Sequence, residues 1–63
     1  RMNAIRNNKG QTVGVMTDSG KITTLRDERG RVVGTYDSKT NITRDANGRS
    51  IGTGNLLTML ITI

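Results

Sequence analysis

The sequence predicts an all-β protein, a meander of about six short strands built from three hairpin repeats and coiled into a small flower, barrel or solenoid with an apolar C-terminal tail. Three observations support this prediction. A ten-residue pattern occurs three times, each copy has an Asn or Asp followed three residues later by Gly, and turn-forming residues separate the copies. Polar turn residues that end in Gly, placed between apolar positions, are a typical hairpin signal.

The three copies of the repeat begin at Ile5, Leu25 and Thr43, so they are spaced by 20 and then by 18 residues. Each copy continues with Arg, Asn or Asp, two variable residues, Gly, Gln or Arg, one variable residue, Val or Ile, and Gly. The spacing fits one hairpin plus one return turn, and a fixed period is the signature of a repeat architecture. We therefore assign residues 1–54 to one domain of three equivalent hairpins.

The hairpin turns are predicted at the same place in every copy. The first turn residue has a short polar side chain that accepts hydrogen bonds from backbone amides further along the turn. The glycine closes the turn, because a type I turn with a G1 bulge needs a positive φ that glycine adopts at no steric cost. The structural turn residues are Asn7 and Gly10, Asp27 and Gly30, and Asp45 and Gly48.

Six strands follow from these turns and from the polar return segments 17–21 and 37–41. Alternation puts Val13 and Val15 on one face, where they start a thin apolar core. The predicted strands are residues 2–6, 11–16, 21–26, 31–36, 41–44 and 49–53, and the other core positions are Ile5, Ile22, Leu25, Val33, Ile42, Thr43 and Ile51.

A second glycine recurs inside the strands, as Gly14, Gly34 and Gly52. Glycine weakens a strand and often marks a bulge, a bend or a close backbone approach. Its recurrence at one repeat position predicts a bend or a close contact that lets the hairpins curl around a common axis.

Residues 55–63 differ from the rest, since six of the twenty hydrophobic residues lie in the last eight positions. The run is too short to cross a bilayer as a helix. A buried strand, the first turns of a helix and a docking tail all fit it. Because an exposed segment of this kind is prone to aggregation, we predict that it is buried in an assembly through Leu56, Leu57, Met59, Leu60, Ile61 and Ile63.

The residue types required for most catalytic and metal sites are scarce. The chain has no His and no Cys, and its acidic residues lie in predicted turns, where Asp27 and Glu28 are the only adjacent pair and the carboxylates are too sparse for calcium. Gly52-Thr53-Gly54 lacks the Gly-Lys-Ser/Thr ending of a phosphate loop. We expect no enzymatic activity, no cofactor and no metal. A domain this small usually needs a disulfide, a metal or a partner, so we expect it to oligomerise or to belong to a larger assembly.

The charge balance is the other functional signal, with ten Lys and Arg against five Asp and Glu. A solvated edge that prevents unwanted strand pairing would explain it, as would a ridge that attracts a polyanion by counterion release. Tyr36 is the only aromatic residue, so the chain has no platform for stacking bases. The candidate polyanion contacts are Arg6, Arg26, Arg31, Arg44 and Arg49.

The segments Arg26 to Thr35 and Arg44 to Thr53 resemble the R-D-x-x-G-R-x-x-G-T repeats of bacterial and phage proteins, and the hairpin pattern is more loosely similar to β-flower and YD-repeat modules. The first copy departs from the pattern at Asn7, Gln11 and Val15. The resemblance implies an extracellular, cell-envelope or virion-associated module and assigns no activity to any residue.

These observations together favour a non-enzymatic structural module that oligomerises or docks on a larger protein complex and has no transmembrane span. The alternative is a module that binds a polyanion, either nucleic acid or acidic glycan, for example a β-structured part of a phage tail or DNA-ejection apparatus. Salt-dependent binding to a polyanion would distinguish the two hypotheses.

Overall fold

A computed structural model describes residues 2–61 and folds them into one six-stranded antiparallel sheet in which neighbours in sequence are neighbours in space. The strands are β1 (Met2–Arg6), β2 (Thr12–Ser19), β3 (Ile22–Asp27), β4 (Val32–Asp37), β5 (Ile42–Asp45) and β6 (Ser50–Thr53), and a short 3₁₀ helix (Leu57–Leu60) follows. The predicted all-β meander is confirmed. The sheet is not closed, since β1 and β6 each have one neighbour, and coiling into a flower, barrel or solenoid stays a prediction.

Two return turns connect the three hairpins at the end of the sheet opposite the hairpin turns. Ser19 pairs with Ile22, so Gly20 and Lys21 form a two-residue turn and β2 extends further than the predicted turn 17–21 allowed. A glycine at positive φ, here 66°, is what such a short hairpin connection requires. The second return loop covers residues 38–41, where Ser38 N–H donates to Lys21 O at 2.9 Å and ties the two turns together.

Each hairpin has a register shift at the same place. In the first, Ile5 pairs with Gly14 and Arg6 with Thr12, which leaves Val13 as an extra bulge residue. Equivalent shifts occur in the second and third hairpins. Because a bulge interrupts side-chain alternation, the prediction that Val13 and Val15 share a face is wrong.

The apolar positions around the bulges are therefore divided between the two faces. Val15 pairs with Ala4 and Arg26 on one face. Val13 and Val33 instead line an open groove together with Leu60 and Ile61, while Ile22 and Ile51 are more than a third exposed. Within residues 2–61, the fully buried side chains are Leu25, Leu57 and Thr43. The core is even thinner than predicted, and the C-terminal segment supplies part of it.

The pairing also staggers the repeats. Ala4 and Arg26 both lie opposite Val15, although the repeat equivalent of Arg26 is Arg6, two residues further along β1. The third repeat is displaced from the second in the same way. Equivalent residues of the three repeats therefore lie on a diagonal across the sheet. This stagger sets the positions of the strand glycines and of the strand arginines.

Candidate functional site

The hairpin turns have the predicted structure. In the second hairpin, Asp27 Oδ1 accepts hydrogen bonds from the backbone N–H groups of Arg29 and Arg31, both at 2.9 Å. Gly30 N–H donates to Asp27 O at 3.0 Å and closes the turn. The predicted positive φ of the turn glycines is confirmed, with values of 78° for Gly10, 82° for Gly30 and 85° for Gly48.

The other two hairpins use the same hydrogen bonds. Asp45 Oδ1 accepts from two backbone N–H groups at 2.9 and 3.0 Å, and Asn7 Oδ1 does the same. Since Asn7 is neutral, the turn requires the acceptor oxygen rather than the negative charge. This explains why the first copy tolerates its departure from the Asp of the other two copies.

Asp27 has a perturbed acidity because of these contacts. The backbone N–H of Arg31, followed by that of Arg29, stabilises the carboxylate and holds the pKa of Asp27 below its ordinary value of 3.8, although partial desolvation acts in the opposite direction. The Arg31 guanidinium adds an ion pair, with Nε 3.3 Å from Asp27 Oδ2. Arg31 is therefore already engaged by a carboxylate.

The five candidate arginines lie at the hairpin end of the sheet, but they form two groups. Arg31 and Arg49 belong to turns, whereas Arg6, Arg26 and Arg44 are exposed residues on strands β1, β3 and β5. Arg6 Nη1 donates to Gly10 O at 3.1 Å, and Arg44 Nη1 donates to Gly48 O at 3.4 Å. The predicted single ridge of five side chains is therefore divided into three strand arginines and two turn arginines.

The strand glycine of the second repeat forms a seat for the C-terminal segment. A Cβ atom added to Gly34 would lie 2.5 Å from Leu60 Cδ1, 2.7 Å from Arg44 O and 3.4 Å from Leu57 Cδ2. These contacts are too close for any side chain at position 34, so glycine is needed for the 3₁₀ helix to pack against β4.

The other two strand glycines contact the same segment. A Cβ on Gly52 would lie 2.6 Å from Leu56 Cδ1, and one on Gly14 would overlap Ile61 Cδ1. Gly14, Gly34 and Gly52 form the diagonal row of strand glycines that we call the glycine diagonal, and the segment crosses the sheet along it from β6 to β2. The predicted close contact at these glycines is present, but the group that approaches them is the chain's own C-terminal segment.

Thr43 connects the sheet to this segment. Its hydroxyl donates to Gly54 O at 2.6 Å and accepts from Leu56 N–H at 3.0 Å, and the side chain is fully buried. Ile5 and Leu25 occupy the equivalent position in the other copies. Thr43 was predicted as a core position, and it is buried, but its two hydrogen bonds to the C-terminal segment were not predicted. The substitution of a hydroxyl for an apolar group in the last copy, just before the tail, was the available signal.

The predicted assembly residues have different environments. Leu57 is fully buried, Leu56, Leu60 and Ile61 are half-buried, and Met59 is 76% exposed. Ile63 lies outside the described residues. Four of these side chains, those of Leu56, Leu57, Leu60 and Ile61, contact the strand glycines of their own sheet, so their burial does not require a second chain. A role of these residues in assembly stays a prediction.

Within residues 2–61, the outer edge of β1 pairs with no other strand. Residues of an antiparallel strand alternate between pairing with the neighbour and facing away from it. Asn7 N–H donates to Gln11 O across the hairpin, so Asn3 and Ile5 face β2 while Met2, Ala4 and Arg6 face outward. This edge was not among the predicted site residues, because a meander that closes into a small flower or barrel leaves no free edge.

Comparisons with protein-family models, with characterised proteins and with solved structures find no match to this chain. The resemblance to R-D-x-x-G-R-x-x-G-T repeat proteins therefore stays a prediction. In the part of the chain that the structure describes, no helix is long and apolar enough to cross a membrane. Among the same residues, no three acidic side chains come together as a metal site would need.

Proposed function

We propose that this chain is a non-enzymatic structural module that assembles with a second copy of itself through the free edge of β1. The observation that carries this proposal is the row of outward-facing backbone groups at Met2, Ala4 and Arg6. Unpaired N–H and C=O groups on a sheet edge are a template for pairing with another chain. The same edge would also accept a strand of a larger complex by strand addition.

The β1 edge is self-complementary. If two copies of β1 run antiparallel with Ala4 opposite Ala4, then Met2 of each copy lies opposite Arg6 of the other. This register brings no like charges into direct opposition and places the smallest side chain of the strand at the symmetry axis. A contact in which the same patch meets itself closes as a two-fold dimer.

The β6 edge is less suited to this role. It has four residues, contains the register shift beside Ile51, and is followed at once by the segment that turns onto the sheet. Short length, bulges and covering segments are the features by which proteins block sheet edges. β1 is longer, and its described residues include neither Pro nor an acidic side chain.

The thin core supports assembly as well. Among the described residues only two hydrophobic side chains, Leu25 and Leu57, are fully buried, while Met2 is 71% exposed. A domain below about 70 to 80 residues rarely gains enough from such a core alone. Pairing of β1 adds backbone hydrogen bonds and covers Met2. An extracellular, cell-envelope or virion setting, which the repeat resemblance implies, is part of the proposal.

The proposal is tested by a proline that blocks the edge. Ala4→Pro removes an outward N–H and leaves the pairing with β2 intact, as proline on an edge strand permits. Thr53→Pro is the matched control on β6, since Thr53 faces away from β5. We expect wild type and Thr53→Pro to sediment as dimers and Ala4→Pro as a folded monomer. Wild-type protein that is a monomer at micromolar concentration would refute the proposal.

The register is tested by cross-linking, which is simple because the chain has no cysteine. Directly paired residues in an antiparallel sheet have Cα atoms about 4.5 to 5.5 Å apart, within the range that a disulfide spans. Ala4→Cys should therefore form a cross-linked dimer on oxidation. Asn3→Cys should not, because Asn3 would lie opposite Ile5 of the other copy. Efficient cross-linking of both variants would contradict this register.

A further inference from the structure

The three strand arginines occupy one face of the sheet. Arg26 pairs with Val15 and Val32, and Arg44 pairs with Thr35, which puts both on the face opposite the buried Leu25 and Thr43. Arg6 has the equivalent position in the first repeat. Because the repeats are staggered, the three arginines lie on a diagonal. Neighbouring arginines are separated by two strand spacings across the sheet and by two residues along the strand, so their Cα atoms lie about 12 Å apart.

The charge of the protein is concentrated beside this diagonal. The hairpin end of the sheet, residues 6–11, 26–31 and 44–49, carries seven of the ten basic residues and three acidic residues. The opposite end, residues 17–22 and 37–42, carries two of each and is neutral. Four of the five net positive charges therefore lie at the hairpin end.

Two of the three acidic residues at this end are engaged within their own turns. Asp27 and Asp45 each accept hydrogen bonds from two backbone N–H groups, and Asp27 also pairs with Arg31. The third, Glu28, lines the groove beside Leu60 and Ile61. Arg6 and Arg44 each donate a hydrogen bond to a glycine carbonyl, which orients the guanidinium and leaves most of its five N–H donors for a ligand.

The side chains around the arginines indicate the class of ligand. Thr17, Thr24 and Thr35 form a continuous row of half-buried hydroxyl side chains on the same face, and the row ends at Arg44. The only aromatic residue, Tyr36, lies on the other face and donates its hydroxyl to Asn41 Oδ1 at 2.7 Å. Guanidinium forks bind carboxylate and phosphate groups, and sulfate presents similar oxygens. Threonine hydroxyls bind other hydroxyls, but no aromatic side chain of the described residues lies on this face to stack on a base.

We propose that this face binds a linear acidic polysaccharide, which runs along the diagonal of Arg6, Arg26 and Arg44 and places its hydroxyl groups against the threonine row. Duplex DNA fits less well, because its major groove admits a two-stranded ribbon and this sheet has six strands. The site is independent of the assembly proposal, since it needs the face of a single sheet.

The experiment compares two double variants that each lower the net charge by two. Arg26→Gln/Arg44→Gln removes two residues of the diagonal, and Lys21→Gln/Lys39→Gln removes both lysines of the opposite end. The dissociation constants for heparin, as a sulfated probe, and for hyaluronan, as a carboxylate probe, are measured at several salt concentrations. We expect the arginine variant to bind about tenfold more weakly or worse, from two lost ion pairs, with a shallower salt dependence. The lysine variant should bind like wild type.

A third variant, Arg26→Lys/Arg44→Lys, keeps the charge and removes the bidentate fork. We expect an intermediate loss of affinity, and this variant replaces the glutamine variant if circular dichroism shows that the latter does not fold. Equal losses in the arginine and lysine variants would reduce the site to diffuse charge and overturn the proposal. Wild-type protein that binds neither polysaccharide at low salt, or that binds single-stranded or duplex DNA more tightly than both, would also overturn it.

Discussion

Replacing Leu57 by Ala tests the packing of the C-terminal segment on its own sheet. Leu57 is fully buried beside Gly34, and the neighbouring Met59 is 76% exposed in the same short helix. Met59→Ala is therefore a matched control of similar size change, sequence position and helix propensity. If the segment is docked as described, the two variants should differ strongly in their free energy of unfolding.

The magnitude follows from burial. A fully buried Leu replaced by Ala costs about 2 to 5 kcal/mol, which includes the cavity left behind, whereas an exposed substitution usually stays within about 0.5 kcal/mol. A chain of 63 residues has a total stability of roughly 3 to 9 kcal/mol, at about 0.05 to 0.15 kcal/mol per residue. Leu57→Ala should therefore remove a large part of the stability or unfold the protein.

The assay is urea unfolding followed by circular dichroism, in the Ala4→Pro background so that assembly does not contribute. With an unfolding slope near 1 kcal/mol per M for a domain this small, the midpoint should fall by about 2 M or more for Leu57→Ala. Met59→Ala should leave the midpoint almost unchanged. Equal midpoints for the two variants would refute the docking of this segment on the glycine diagonal.

Three further predictions concern the turns and the anchor of the segment. Gly30→Ala should lower the free energy of unfolding by about 1 to 2 kcal/mol in a thermal or urea melt, because φ is 82° and Ala is strained there, although no atom of residues 2–61 crowds the position. Thr43→Val should cost about 1 to 3 kcal/mol in the same melt, since it leaves partly buried backbone groups of Leu56 and Gly54 without their hydrogen bonds to the buried hydroxyl; a melting point equal to that of wild type would contradict the anchor role. The folded-state pKa of Asp27 is below its unfolded value, so its contribution to stability is present above about pH 4 and is lost as the pH falls through the folded pKa. Asp27→Asn, which introduces the residue type found at Asn7, should fold at neutral pH and lose less stability on acidification than wild type. An equal loss of unfolding free energy in the two proteins as the pH falls would count against this assignment.

The turns and the number of strands could be predicted from the sequence because the interactions that determine them are local. The acceptor oxygen of Asp27, the two N–H groups that it binds and the positive φ of Gly30 lie within five consecutive residues. Three copies of this arrangement fix three hairpins, and short polar segments between them leave room only for a meander. Five of the six predicted strands agree with the structure to about one residue, which is the usual uncertainty of an element boundary.

The details of the faces depended on pairing between strands. The bulge residue Val13 reverses the alternation within β2. The strand glycine beside it could mark a bulge, a bend or a close contact, and only the register of the two strands distinguishes these. For the same reason the arginines lie on a diagonal and not in a straight ridge. The sequence contained the candidate arginines, but the stagger that spaces them appears only in the folded sheet.

The location of the C-terminal segment was decided by tertiary structure alone. Gly14 and Ile61 are separated by most of the chain, and neither has a local feature that indicates the contact between them. The sequence showed recurrent strand glycines and an apolar segment that needed burial, but it did not show that the segment packs on those glycines. Burial of apolar surface is non-directional, so composition predicted that the segment would be covered but not where. Its position is determined by the groove that Gly14, Gly34 and Gly52 leave on one face of the sheet because they have no side chains.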